Sequence, residues 1–159
     1  MKVLGIDPGS IVTGYGIVEK VQERYIDAGH GEIKIKRGTL FTAALEKVYN
    51  ELFSIIGHEM PDAVAIEDIF YGKNIKSLIK QGHVRGVAIL AGSNHHLPVF
   101  EYTPLEIKKA VVGYGHAEKI QVQKMVQVIM KFPELPPPDA SDAIAVAICH
   151  INHQKKNYI

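Results

Sequence analysis

The chain has 159 residues, 47% of them hydrophobic, and 18 basic side chains against 17 acidic ones leave a net charge of +1. A chain of that length supports one domain with a real core, expected here over residues 1–159. Its hydrophobic share excludes a disordered protein, and its apolar runs stop far short of the roughly 18 residues of a membrane-spanning helix. Met1-Lys2 leads straight into a strand-like run, which leaves no room for a signal peptide, and Cys149 is the only cysteine. An intramolecular disulfide is therefore impossible, and a reducing cytoplasm is the expected setting.

In chain order, Lys2 to Asp7 reads as a first strand, turned by Pro8-Gly9-Ser10. Thr13 to Glu19 and Arg24 to Ile35 follow as two more strands with short connections, which imply an antiparallel meander. Thr39 to His58 is an amphipathic helix: Phe41, Leu45, Val48, Leu52 and Ile56 recur every three to four residues, widened by Ala44, Tyr49 and Phe53. Ala63 to Glu67 is a fourth strand. Lys76 to Asn94 is helical despite Gly82, Gly86 and Gly92. Val99 to Tyr102 is a fifth strand, and Pro104 starts a short helix that Gly113-Tyr114-Gly115 ends. Ala117 to Met130 and Asp139 to His153 are the last two helices. Three strands followed by helices alternating with two more strands predict an α/β fold with a mixed five-stranded sheet flanked by helices. The first three strands are expected to be antiparallel and the others parallel, the order of a ribonuclease H-like topology.

Four acids fall at the ends of these elements. Asp7 and Glu67 each follow an apolar strand, at the sheet's carboxyl edge where open α/β sheets place their ligands. Asp139 and Asp142 open the last helix, three residues apart and so on one face. Each also has a plainer reading. Asp-Pro-Gly is a common turn, and aspartate caps helix starts. Glu67 is harder to dismiss, because a carboxylate closing the buried run Val64-Ala65-Ile66 is costly without a partner. Asp142 leads into the small, apolar stretch Ala143 to Ile148, which lets that helix approach the sheet closely. Asp68 points to the opposite side from Glu67, because side chains alternate along a strand. Crowded carboxylates need a cation. Hard oxygen ligands suit Mg²⁺ or Mn²⁺, and paired ions suit phosphodiester cleavage. If metal neutralises these four, the remaining surface is more basic than the total charge suggests. The groups Lys73, Lys76, Lys80 and Arg85, then Lys108 and Lys109, then Lys119 and Lys124 could form that surface or be solvated helix faces.

The motifs Gly5-Ile6-Asp7-Pro8-Gly9-Ser10 with Thr13-Gly14-Tyr15-Gly16, and Ile66-Glu67-Asp68-Ile69-Phe70 with Lys73-Asn74, resemble the RuvC family of bacterial Holliday junction resolvases. Arg85-Gly86-Val87-Ala88, Val111-Val112-Gly113 with Ala117-Glu118-Lys119, and Asp139-Ala140-Ser141-Asp142-Ala143 resemble its remaining motifs, in order, from about residue 3 to 150. The resemblance implies a homodimeric endonuclease that nicks two like strands of a four-way DNA junction, leaving 5′-phosphate and 3′-hydroxyl ends. It implies that Asp7, Glu67, Asp139 and Asp142 hold two Mg²⁺ ions per subunit, with Mn²⁺ able to substitute, and that the enzyme works with a branch-migration helicase complex. Some members carry histidine where this chain has Asp139. Phe70 and Tyr71 would stack on an unpaired base. Lys73, Lys76, Arg85 and Lys108 would contact DNA, and Lys119 would also stabilise charge at the reacting phosphate. A loose likeness of Asp-x-Gly and Thr-Gly to the phosphate loop of actin-like kinases is opposed by the lack of space for a second lobe.

Overall fold

The computed structural model describes residues 1–69 and 74–154. Its strands are β1 (Lys2–Asp7), β2 (Val12–Val21), β3 (Arg24–Lys34), β4 (Ala63–Glu67) and β5 (Val99–Tyr102). They form one sheet in the order β3-β2-β1-β4-β5. The β1–β2 and β2–β3 pairs are antiparallel, whereas β1–β4 and β4–β5 are parallel. The mixed five-stranded sheet expected from the sequence is therefore present.

Alternation along the strands sorts side chains onto two faces. Leu4, Ile6, Val64 and Ile66 point to the face covered by α1 (Phe41–Glu59) and α2 (Ile75–Asn94). Val3, Ala65 and Tyr102 point to the other, under α3 (Pro104–Val112), α4 (Lys119–Met130) and α5 (Pro138–Gln154). The two cores share only the sheet.

The helix boundaries show what sets them. Helix α3 begins with Thr103 accepting from Glu106 N–H while Glu106 accepts from the Thr103 amide, a capping box. That contact holds the Glu106 carboxyl below its ordinary range. Helix α4 starts at Lys119, two residues later than its periodicity predicts, because Glu118 serves as the cap in a box with Gln121. The apolar stripe of α1 is also narrower than expected. Ala44, Val48, Leu52 and Ile56 are buried, but Phe53 stays partly exposed and packs its ring on His95, centroids 4.1 Å apart. At the far end of α5, buried His150 sits 2.8 Å from the Tyr102 hydroxyl and ties that helix to β5. Among the described residues no helix is long and apolar enough to cross a membrane.

Candidate active site

Asp7 and Glu67 end adjacent parallel strands, with Ile6 paired to Ile66 in the register just before them. Both continue the face that carries Val3, Gly5 and Ala65, so both aim toward α5. Three glycines decide how close α5 comes. A Cβ on Gly5 would lie 2.0 Å from the Ala143 carbonyl oxygen, one on Gly14 would lie 1.9 Å from that of Asp139, and one on Gly16 would lie 2.5 Å from Ile144 Cγ1. Only hydrogen fits at these positions, so the helix backbone rests directly on β1 and β2. That contact delivers the first turn of α5, with Asp139 and Asp142, to the strand ends. Buried Thr13 fixes the turn after Asp7: its hydroxyl donates to the Gly9 carbonyl at 2.9 Å.

The electrostatics of the carboxylates follow from this crowding. Burial first, then the charge of Glu67, pushes the Asp7 carboxyl up from an ordinary 3.8 to about 9, and the protonated Asp7 donates a hydrogen bond to Glu67. Burial also raises Glu67. Burial raises Asp142 as well, opposed by Lys119. The Lys119 ammonium lies 3.1 Å from Asp142 Oδ2 and is itself raised by that carboxylate. Burial favours the neutral form of Asp7, and the Lys119 ammonium offsets the charge of Asp142, so the crowded carboxyls carry less net negative charge than their number suggests. Among the described residues no three acidic, histidine or cysteine side chains converge closely enough to ligate one ion as they stand. The chemistry of the set nevertheless fits a hard divalent cation: every donor is a carboxylate oxygen, and compensating charge favours the ionised form of the half-buried members.

Two clefts open on the carboxylates. One, of about 610 Å³, runs past Glu67 and Asp142 between Lys108, His116 and Lys119, with Leu105 among its apolar walls. The other, of about 380 Å³, runs past Asp7 and Asp139 between Ser10, Ser77 and Gln81, with Lys119 again at its edge. Lys119 thus stands where the two clefts meet.

The structure brings Asp7, Glu67, Asp142 and Lys119 into electrostatic contact and sets Asp139 in the neighbouring cleft. Lys108 lies close enough to oppose, weakly, the rise that burial imposes on the Glu67 and Asp142 carboxyls. Lys76 is exposed on the first turn of α2. Arg85 does not stand free for a phosphate: its guanidinium reaches Asp68 Oδ1 at 3.2 Å and Glu101 Oε1 at 2.5 Å. Phe70, Tyr71 and Lys73 lie outside the described residues. Sequence reasoning quoted Gly5, Thr13, Gly14 and Gly16 as motif residues and gave none of them a role. Their signal was the glycines at 14 and 16, spaced to share one face of a strand beside a helix rich in alanine.

A ribonuclease H-like sheet with carboxylates gathered at its carboxyl edge is an arrangement suited to phosphodiester-cleaving nucleases. Residues 3–150 match the model of the family described as crossover junction endodeoxyribonuclease RuvC. A relative from Geotalea uraniireducens, named crossover junction endodeoxyribonuclease RuvC, is 51% identical over 152 residues, covering 96% of this chain and 89% of its own. The structure of Thermus thermophilus RuvC superposes with a TM-score of 0.89 at 28% identity, over 99% of this chain and 97% of that one. The same protein in complex with Holliday junction substrate gives a TM-score of 0.92 at 28% identity, over 99% of this chain and 96% of that one. The chain belongs to the RuvC family of crossover junction endodeoxyribonucleases.

Proposed function

We propose that this chain resolves four-way DNA junctions by nicking two strands of like polarity, as a two-fold homodimer acting in the cytoplasm during recombination and repair. The observation that carries the reading is the half-buried carboxylate centre, Asp7 with Glu67 and Asp142, set between two lysine-edged clefts on a chain of this family. Asp7, Glu67, Asp139 and Asp142 would hold two Mg²⁺ ions, for which Mn²⁺ could substitute. When bound, such ions would supply an activated water and stabilise a leaving 3′ oxygen, giving products with 5′-phosphate and 3′-hydroxyl ends.

The chain's own residues do the rest. Without metal, the hydrogen bond from protonated Asp7 sets the pair side by side, and Asp7 would lose that proton when an ion binds. Lys119 balances charge beside Asp142, where the reacting phosphate would lie. Lys73, Lys76 and Lys108 would track the backbone, a contribution that salt weakens and sequence does not alter. Phe70 and Tyr71 would stack on an unpaired junction base. Lys119→Met should lower the single-turnover nicking rate about 10²-fold and reduce the salt slope of junction binding by about one. An unaltered nicking rate would remove Lys119 from the reaction.

Dimerisation is supported by α2. Ile75, Ile79 and Leu90 are 69%, 55% and 49% exposed, and with Gly82 and Gly86 they fall at helical spacing along one stripe. A Cβ on Gly86 would meet nothing within 4 Å, and one on Gly82 would meet only Ile69 Cδ1 at 3.5 Å. Packing within the described chain therefore requires neither glycine, whereas a second copy of α2 crossing there could approach closely. A branch-migration helicase complex is the further partner. Incubating the protein with a four-way junction, a linear duplex and an RNA–DNA hybrid, with and without Mg²⁺, tests the reading. Metal-dependent nicking confined to the junction supports it, and equal cleavage of the hybrid would transfer the site to a different substrate.

A further inference from the structure

We infer that Arg85 is a positioning residue for Glu67, acting from the opposite face of the sheet. Its guanidinium lies on the α1–α2 side, with the side chain only 17% exposed, and one nitrogen, Nη2, reaches both Asp68 Oδ1 at 3.2 Å and Glu101 Oε1 at 2.5 Å. Those two carboxylates belong to the ends of neighbouring strands. Asp68 directly follows Glu67, and Glu101 pairs with Ile66 in the β4–β5 register. Two more bonds secure the same segment: Asp68 N–H donates to the Tyr102 carbonyl at 2.8 Å, and Ile69 N–H donates to Asp68 Oδ1 at 2.8 Å.

The backbone that carries Glu67 toward Asp7 is thus gripped from behind by a cation that never enters the cleft. Side-chain alternation makes this possible, because residue 67 points to α5 and residue 68 to α2. The geometry is that of a holding contact. The Arg85 Nε is buried without a hydrogen-bond partner among the described residues, so the group gives up solvation to reach the two carboxylates. A guanidinium meant for phosphate would present its fork outward.

Releasing the grip lets the end of β4 relax, and a misplacement of about 1 Å at a reacting centre costs on the order of 10²-fold in rate. The inference rests on the junction-nicking reading above, with Glu67 as a ligand. The test compares wild type, Arg85→Gln and Arg85→Lys in three measurements. These are the nicking rate at saturating four-way junction, junction affinity against salt without divalent metal, and Mg²⁺ affinity by calorimetry on protein alone. Arg85→Gln should lower the rate and the Mg²⁺ affinity roughly 10- to 100-fold while leaving junction affinity within about twofold and its salt slope intact. Arg85→Lys, which keeps the cation, should recover most of both losses.

A fall in junction affinity with the salt slope reduced by about one, at an unaltered nicking rate, would make Arg85 a phosphate contact and overturn the inference. Unaltered rate and affinities would overturn it too. If Arg85→Gln does not fold, Glu101→Gln reads the same loss from the more exposed end of the clamp. Absence of nicking by wild type would instead strike the junction reading itself.

Discussion

Asp7→Asn should abolish metal-dependent nicking while making the metal-free protein more stable. The loss follows from charge. Asparagine keeps the shape and one carbonyl oxygen but cannot offset a divalent ion, and several kcal/mol of lost charge stabilisation is worth roughly 10³-fold or more in rate. The gain follows from the proton that Asp7 holds. Its carboxyl is raised to about 9 in the fold against an ordinary 3.8. A carboxyl raised in this way contributes stability that is full below about 3.8 and is lost as pH climbs through about 9. Between those limits the slope reaches about −1.4 kcal/mol per pH unit. Wild type should therefore melt at steadily lower temperature from pH 6 to 9 without divalent metal, and Asp7→Asn should flatten that fall. Added Mg²⁺ should raise the melting temperature of wild type and not that of the variant. Differential scanning calorimetry across pH, with and without Mg²⁺, reads all of this. A variant less stable than wild type at pH 8 would mean that the site is not strained by its own charge.

Gly14→Ala should be nearly as damaging to activity, by a different route. The added carbon would sit 1.9 Å from the Asp139 carbonyl oxygen, which is backbone of the first helical turn and cannot rotate aside. Either α5 lifts or β2 bends. Overpacking of this kind costs roughly 1–3 kcal/mol and can exceed that against rigid backbone. The start of α5 moves with the lift, so Asp139 and Asp142 leave the strand ends, and nicking should fall at least about 10²-fold. Gly113→Ala is the contrast. Nothing lies within 4 Å of its Cβ, but its φ of +96° belongs to the left-handed region that caps α3. That change should cost about 1 kcal/mol of stability through strain and leave the nicking rate near wild type. Equal activity of Gly14→Ala and wild type would show that the close seating of α5 does not place the acids.

Much of this was legible in the sequence because it is local. The bounds of β1 and β5 coincide with the apolar runs that predict them, since Pro8 and Pro104 punctuate both. The four acids could be placed because strand ends and a helix start are readable, and the ribonuclease H-like order says which ends are neighbours. What could not be read is tertiary. Glycines at 14 and 16 look like a weakness in a strand until Asp139 lies on them. Arg85 belongs to a run of basic side chains, and its sequence position does not say that Asp68 and Glu101 will occupy it. Phe53 fits the apolar stripe of α1, yet its ring finds His95 from the end of α2 instead of the core. The start of α4 shifts because Glu118, a residue with no helical periodicity of its own, closes a cap with Gln121.

A carboxylate centre on this fold should make paired, symmetric nicks in a four-way junction. The most direct measurement incubates wild type with a junction whose strands are separately labelled, in Mg²⁺, then treats the products with DNA ligase. Wild type should make two nicks at matching positions on opposite strands of like polarity, dependent on metal, absent with Asp7→Asn, and sealable by ligase through 5′-phosphate and 3′-hydroxyl ends. Nicks at unrelated positions, ends that ligase cannot seal, or equal cleavage of a linear duplex would contradict it.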